Sequence, residues 1–278
     1  MIQAALTFAI AIGIAAETWL PELEPWIRET ISWERPDSLS EEILSAAKVC
    51  AVKQTRYEMT YPDIPYPGGD VGENEGLCCD VVVRALRAAG IDLQELVYED
   101  ALGARASYLA ANRWTGFGRP LNRSWVHRRT ANLKVFFKRH ALELPTWYGP
   151  SSAETWQPGD LVIYVRKGWE TWHIAVVSDS TDPATGRPMV IDSWSQPGYV
   201  SETHELTSFG PIAGHYRIQE ELRDTLPEEH KERSRQAWYR YVVGVSEPSI
   251  AARQPAGPEQ TIGLVGLANS LGFRAGGR

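Results

Sequence analysis

Two adjacent cysteines in the first half of the chain carry the clearest chemical signal in the sequence. Residues 76–84 read GLCCDVVVR, so Cys78 and Cys79 stand at the start of an apolar segment. Just upstream, residues 66–70 read YPGGD, which has the composition of a turn. A thiol in the first turn of a helix lies beside unpaired backbone N–H groups and the positive end of the helix dipole, and both stabilise a thiolate. We therefore predict a glycine-rich loop that delivers a cysteine nucleophile to the first turn of a buried helix.

A cysteine nucleophile also needs a base and a third polar group that orients the base. His173 begins the apolar segment 173–178, and Asp192 ends the segment 189–192. If both segments are neighbouring antiparallel strands, the Asp192 carboxylate can reach the imidazole, fix its tautomer and favour a thiolate–imidazolium pair. The alternative is that His173 is a structural residue, as most histidines on strands are. The pattern predicts a cysteine, His173 and Asp192 as a catalytic set.

The elements predicted around these residues are helices first and strands afterwards. A helix opens near residues 40–44, with Ser38 or Ser40 as its N-cap. Hydrophobic periodicity then predicts three more helices, at 77–89, 93–111 and 131–141, and four strands, at 161–165, 173–178, 189–192 and 214–218. A charged helix over 220–235 and a last apolar segment over 239–245 follow. Helices followed by an antiparallel sheet are the α+β pattern.

The composition narrows the classes of partner and cofactor. The chain of 278 residues is 43% hydrophobic, which suffices for a substantial core, and its formal net charge is −7. Because there is no basic stripe, nucleic acid is not expected as a partner. Three cysteines cannot all pair, and Cys50 is expected in the core, although in an exported protein it could bridge to one of the other two. His204, His215 and His230 have no metal-ligand spacing with the cysteines, so we predict neither a metal nor another cofactor.

Composition also divides the chain into three parts. Residues 1–36 are predicted to be an apolar leader and a connector, residues 37–245 the catalytic domain, and residues 246–278, rich in Pro, Gly and Ala, a flexible tail. Residues 4–16 are too short an apolar run for a comfortable membrane span and resemble a signal-peptide core, although no Lys or Arg precedes them. We therefore predict export to the periplasm or cell envelope and no stable membrane span. The alternatives are an apolar helix docked on a cytoplasmic protein, or a secreted effector.

Several ordered motifs resemble those of the DUF1287 family. They are residues 64–71, 76–84, 126–129 with 132–133, 158–160 and 173–179, within about residues 48–218. The family is similar to NlpC/P60 proteins, papain-like cysteine hydrolases that mostly cut peptide or amide bonds of bacterial peptidoglycan. The resemblance implies a papain-like α+β fold with Cys78 at a helix N-terminus as the nucleophile and His173 as the base. The chain departs from the family pattern at Cys79, where Thr or a similar small residue is usual, and at Asp192-Ser193, where His-Asn is expected.

Other residues near these motifs are predicted to support the site or to bind substrate. Adjacent residues of a helix point about 100° apart, so only one thiol can face the base, and we assign Cys78 to that position. Tyr66 and Asp70 belong to the glycine-rich turn, where Asp70 would hold the cleft loop or bind an amino group of the substrate. Asp80 precedes Arg84 by one helical turn, and we favour a structural ion pair between them.

A basic cluster between the helices has two interpretations. In the first, substrate carboxylates are bound through bidentate contacts by His127, Arg128 and Arg129. Alternatively they form a buried network that ties their loop to Asp80 or Asp160. We favour the network slightly.

The sequence therefore predicts a cysteine hydrolase that cleaves an amide bond through a thioester acyl-enzyme. By resemblance, the expected partner is peptidoglycan, or another peptide substrate. One alternative is a different acyl transfer on the same fold, by a deamidase, a transpeptidase or a lipid acyltransferase, because a fold does not fix a substrate. Another is a non-catalytic module that binds the cell wall.

Overall fold

The computed structural model describes residues 36–112, 121–166 and 171–244. The predictions for the leader and connector and for the tail fall outside these ranges, except for residue 36. Within them, a group of helices is followed by a six-stranded antiparallel sheet. This confirms the predicted α+β class.

The first half of the described chain is mostly helical. The helices are α1 Leu39–Lys53, α2 Cys78–Ala88, α3 Leu93–Gly103, α4 Arg105–Asn112 and α5 Thr130–His140, and the two-residue parallel strands β1 Arg56–Tyr57 and β2 Glu75–Gly76 lie between α1 and α2. Of the two predicted caps of α1, Ser38 is the N-cap, and its hydroxyl accepts a hydrogen bond from the N–H of Glu41. Asp92 caps α3 in the same way, through the N–H of Gln94. Side-chain caps therefore set where both helices begin.

The prediction of one helix over 93–111 is wrong, because α3 and α4 are separate. The break follows Gly103, and Ala104 leaves helical backbone with φ −115° and ψ 35°. Glycine is a poor helix former, so the helix ends there even though the residues on both sides favour helix.

The second half supplies the sheet. Its strands are β3 Leu142–Glu143, β4 Leu161–Tyr164, β5 His173–Thr181, β6 Pro188–Ser193, β7 Val200–Glu205 and β8 Ile212–Arg217, in the order β3-β8-β4-β5-β6-β7. Every neighbouring pair is antiparallel. Two of these strands, β3 and β7, lie at the edges and were not predicted, because their sequences LE and VSETHE have no clear apolar alternation.

The last described segment corrects a second prediction. Instead of one charged helix and a separate apolar segment, the chain forms α6 Glu220–Asp224 and α7 Glu228–Val243. Pro227 separates them, since its fixed φ and missing N–H end one helix and start the next. The aromatic residues Trp238 and Tyr241 continue the helical spacing of α7 and are buried, and α7 packs against α2.

Helix α2 is packed between the sheet and the other helices. Every residue of α2, from Cys78 to Ala88, is buried. The larger hydrophobic cluster joins α1 and α2 to one face of the sheet through residues such as Ile43, Val82 and Ile174. A smaller cluster, which includes Tyr164 and Phe209, covers the other face. No helix in the described ranges is long and apolar enough to cross a bilayer.

Candidate active site

Cys78 is the first residue of α2. Leu77 is the N-cap, with extended backbone, and its N–H donates to the Asp80 carboxylate at 2.6 Å. Of the first N–H groups of α2, that of Asp80 donates to the Leu77 carbonyl at 3.0 Å, and those of Cys78 and Cys79 lie beside the thiol. The structure therefore places Cys78 where the sequence predicted the nucleophile, after a glycine-containing loop and at a helix N-terminus.

The two adjacent thiols point to different surroundings. The Cys79 sulfur lies 3.5 Å from the Thr130 hydroxyl, at the start of α5. The pKa of Cys78 is well below its usual value of 9.0, because the Cys79 thiol donates to it, the His173 imidazolium lies beside it and the Ile174 N–H donates to it. The pKa of Cys79 is raised by its interaction with Cys78 and by burial. Of the two thiols, Cys78 is the one whose pKa the histidine lowers.

His173 and Asp192 form the second part of the site. His173 Nε2 lies 3.0 Å from Asp192 Oδ2, and both side chains are fully buried. Burial opposes the charged imidazole, but the Cys78 thiolate and the Asp192 carboxylate outweigh it and raise the pKa of His173 to about 9. Nδ1 of His173 is buried and makes no hydrogen bond within the described residues. That nitrogen is therefore left to exchange a proton with the thiol.

The sheet register explains why these two side chains meet. His173 is the first residue of β5, and Asp192 lies near the end of the antiparallel neighbour β6. The pairs Val176–Ile191 and Val177–Val190 fix the register. Continuing it back along β5 makes His173 and Asp192 diagonal neighbours on one face, a separation that long side chains can bridge. The predicted contact across neighbouring strands is present.

Aromatic rings surround the imidazole. The ring centroid of Phe209 is 4.0 Å from that of His173, and those of Trp194 and Trp172 are 5.4 Å and 5.5 Å away. Such a shell keeps water from the ion pair and strengthens its electrostatics. Sequence reasoning missed Phe209 and Trp172, although Trp172 is next to His173 in the chain.

Asp80 lies in a buried ion pair directly behind the nucleophile. Arg128 donates to both Asp80 oxygens, at 2.7 and 2.9 Å, and also to the Thr60 carbonyl. Although burial opposes ionisation, Arg128 lowers the pKa of Asp80 to about 2. Of the two interpretations of the basic cluster, Arg128 therefore follows the network with Asp80.

The predicted ion pair between Asp80 and Arg84 is wrong. Arg84 instead donates to both carboxylate oxygens of Asp70, each at 2.8 Å, and to the carbonyls of Gly72 and Glu75. Arg84 pairs with Asp70 because the buried guanidinium needs several acceptors at once, and the loop before α2 supplies them. Asp70 thus holds the loop that precedes the nucleophile.

The other predicted supporting residues lie in neighbouring contacts. His127 is buried, and burial together with the charge of Arg87 lowers its pKa to about 3. Arg129 lies over the Trp125 ring, 4.2 Å from its centroid. The Tyr66 ring packs edge-on against Tyr98, with the centroids 5.4 Å apart.

A cleft of about 460 Å³ is lined in part by α5, and Cys78, His173 and Asp192 are not among its lining residues. Its lining comprises Ala111, Ala131, Lys134, Val135, Lys138, Val165, Thr171 and Ala213. Ala131 follows Thr130, the neighbour of Cys79, and Thr171 comes two residues before His173. No carboxylate among the described residues pairs with Lys134 or Lys138, so the mostly apolar cleft carries positive charge.

His204 is a further residue that the sequence did not mark for this site. Its Nδ1 lies 3.0 Å from Asp192 Oδ1, the carboxylate oxygen that His173 does not use. The sequence analysis considered His204 only as a metal ligand. Within the described residues, no group of three or more His, Cys, Asp or Glu side chains is arranged to hold a metal ion, and all three cysteines are free thiols.

Comparison with known proteins gives a family but no activity. Residues 44–218 match the DUF1287 family, which is described as a domain of unknown function. The uncharacterized protein YijF of Escherichia coli (strain K12) is 38% identical over 161 residues, covering 58% of this chain and 73% of that protein. No solved structure matches the chain significantly.

Proposed function

The chain belongs to the DUF1287 family, and on that premise we propose that it is a papain-like cysteine hydrolase that cleaves amide bonds through a thioester. The observation that carries the proposal is the buried His173–Asp192 couple together with Cys78 at the start of α2, whose pKa His173 lowers. A nucleophile, a base and an orienting carboxylate in this relation are the set that thiol acyl transfer requires. Their order along the chain, with the cysteine on a helix before the histidine on a strand, supports a relationship to NlpC/P60 proteins.

The reaction follows from the positions of these atoms. The Cys78 thiolate attacks the amide carbonyl carbon, a C–S bond forms, and the carbonyl oxygen becomes an oxyanion beside the N–H groups of Cys78 and Cys79 at the start of α2. The C–N bond then breaks as Nδ1 of His173 gives its proton to the leaving amine. Water then attacks the thioester while His173 takes its proton, the C–S bond breaks, and the acid leaves as the Cys78 thiolate and the His173 imidazolium re-form. Asp192 keeps the imidazole oriented throughout.

The substrate that we propose is a peptidoglycan stem peptide, cut by an endopeptidase or amidase in the cell envelope. The cleft lined by α5 supports a peptide with free carboxylates, because Lys134 and Lys138 are among its lining residues and most of the others are apolar. Action on the cell wall requires export of the chain, which is part of the same proposal.

The test is mass spectrometry of purified peptidoglycan after incubation with wild-type protein, Cys78→Ala and Cys79→Ser under reducing conditions. Cys79→Ser keeps a hydroxyl donor beside Cys78 and is the matched control. We expect new fragments from wild-type and Cys79→Ser, and none from a folded Cys78→Ala. Fragments that carry an added amine would indicate acyl transfer instead. Absence of any product from the wild-type protein would argue against wall hydrolysis, and equal product from Cys78→Ala would exclude this nucleophile.

A further inference from the structure

The Asp192 carboxylate is held by two imidazoles, of which the mechanism uses one. Oδ2 contacts Nε2 of His173 and Oδ1 contacts Nδ1 of His204, both at 3.0 Å. The Asp192 side chain has no exposed surface, so neither oxygen can rely on bulk water for its hydrogen bonds. Two N–H donors aimed at two different oxygens fix the plane of the carboxylate as well as its charge.

An irregularity of the sheet brings His204 to this position. Asp192 of β6 pairs with Ser201 of β7, but two residues earlier on β6, Val190 pairs with His204. β7 therefore contains one residue more than β6 between the two pairs. A regular ladder would place Thr203 opposite Val190, with the His204 side chain on the other face. Bulges of this kind re-aim side chains and are frequent beside active sites.

One aromatic ring joins the two histidines. Phe209 lies 4.0 Å from the His173 ring and 4.7 Å from the His204 ring, measured between centroids. The His204 side chain is 21% exposed, so its far edge reaches solvent while Nδ1 faces the buried carboxylate. The ring cannot rotate freely without leaving Phe209 and breaking the hydrogen bond to Asp192.

We propose that His204 is a positioning residue of the active site. Its Nδ1–H holds Asp192 Oδ1, so that Oδ2 faces His173 and the imidazole is presented to Cys78. This rests on the proposed function in that Cys78, His173 and Asp192 are taken as the working set. The orientation of the base His173 is then fixed by three features together. These are the bulge, the packing of Phe209 and the hydrogen bond to the second carboxylate oxygen.

Two substitutions separate the hydrogen bond from the packing. In His204→Asn the side-chain amide places an N–H near the position of Nδ1, whereas His204→Leu fills the space against Phe209 without a donor. The readout is the rate at which iodoacetamide alkylates Cys78 at neutral pH, located by peptide mass spectrometry. We expect His204→Leu to slow alkylation roughly tenfold, the factor that corresponds to one hydrogen bond to a charged group. His204→Asn should stay within about twofold of wild type, by the same reasoning.

An alkylation rate equal to that of the wild type in a folded His204→Leu would overturn the proposal. Equal slowing in both variants would also overturn it, because His204 would then act only through packing. Thermal unfolding of both variants checks that they fold. Alkylation needs no substrate, so this test and the proposed function can fail separately. If the protein does not hydrolyse the cell wall but shows the expected alkylation pattern, the positioning role of His204 stands and only the proposed substrate is wrong.

Discussion

At the scale of single residues, the charge state of Cys78 decides whether the site can act. A thiolate at neutral pH requires a pKa well below 9.0, and the Cys79 donor, the His173 imidazolium and the Ile174 N–H all act in that direction. The pKa of His173 rises to about 9 for the complementary reason, since each partner stabilises the charged form of the other. The pair is therefore expected to be charged across neutral pH.

The first prediction concerns the pH dependence of this thiol. We expect wild-type Cys78 to react with iodoacetamide well below pH 9, because the thiolate persists there. His173→Gln removes the cation, so the pKa of Cys78 rises and alkylation at neutral pH falls by about tenfold or more. Alkylation rates across the pH range, with Cys79→Ser as the control, measure the shift. Superimposable profiles for wild type and His173→Gln would show that the imidazole does not activate Cys78.

Residue-level prediction from sequence succeeded where partners lie on neighbouring elements and failed where they lie across a loop. The His173–Asp192 contact follows from two adjacent strands with apolar patterns. The Asp70–Arg84 pair does not follow from any spacing, because only the folded loop brings Asp70 to α2. His204 was equally hidden, since a one-residue bulge in an unpredicted strand determines which face it occupies.

At the scale of elements, the start of α2 is fixed by a buried ion pair. Asp80 accepts from the Leu77 N–H and from the Arg128 guanidinium, which itself reaches the Thr60 carbonyl. These contacts join α2, the loop before it and the short helical turn at residues 126–128. The position of Cys78 therefore depends on Asp80, although Asp80 takes no part in the chemistry.

The second prediction is a large loss of stability in Asp80→Asn. The substitution leaves the Arg128 charge buried without its partner, and breaking a buried pair in this way costs about 3–5 kcal/mol of the free energy of unfolding. Chemical denaturation of the wild type and the variant measures it. The matched control is Arg187→Gln, which breaks the exposed pair with Glu205 and should cost less than about 1 kcal/mol. Similar losses in both variants would contradict the structural role of Asp80.

The third prediction belongs to α5, which presents two lysines to the cleft one helical turn apart. If the substrate carries a carboxylate there, the double variant Lys134→Ala, Lys138→Ala should raise KM roughly tenfold and leave kcat nearly unchanged, since the lysines act on binding. Assays compare the free-acid and amidated forms of one peptide substrate. The effect should shrink in high salt and be absent for the amidated form. An equal rise in KM for both forms would show that the cleft does not recognise a carboxylate.

Elements with strong apolar periodicity were predictable, and elements defined by their neighbours were not. Helices α1, α2 and α5 and strands β4, β5, β6 and β8 follow from their own sequences. Strand β7 exists because β6 offers it a partner at the sheet edge, and the split after Gly103 depends on one local weakness in an otherwise helical segment. Strand β7 is thus decided by tertiary context more than by local propensity.

At the scale of the whole molecule, residues beyond the part that matches the family complete the core around the site. The family match ends at residue 218, whereas α7 lies at Glu228–Val243. The Tyr241 ring lies 4.1 Å from the Arg84 guanidinium, and its hydroxyl hydrogen-bonds Thr55 at 2.7 Å. α7 therefore helps to enclose the buried arginine that anchors the loop before Cys78.

The pH dependence of stability also belongs to the whole molecule, and His127 contributes a defined part of it. His127 is buried, its Nδ1 has no hydrogen-bond partner within the described residues, and burial and nearby Arg87 lower its pKa from 6.5 to about 3. Below pH 6.5 the unfolded chain therefore binds a proton that the folded protein does not. The contribution of His127 to stability is complete above pH 6.5 and is lost as the pH falls towards 3.

The fourth prediction follows from this sign. Between about pH 5 and pH 6.5, the free energy of unfolding of the wild type should fall as the pH is lowered. The fall should be steeper than in His127→Leu or His127→Asn by up to about 1.4 kcal/mol per pH unit, because the new side chain does not titrate in either variant. Urea unfolding at several pH values measures the two slopes. The Cys78–His173 pair is present in every protein compared, and the carboxyl of Asp80, with a pKa of about 2, stays ionised, so the difference isolates His127. Equal slopes would mean that His127 is already protonated in the folded protein, with the Asp92 carboxylate outweighing burial and Arg87.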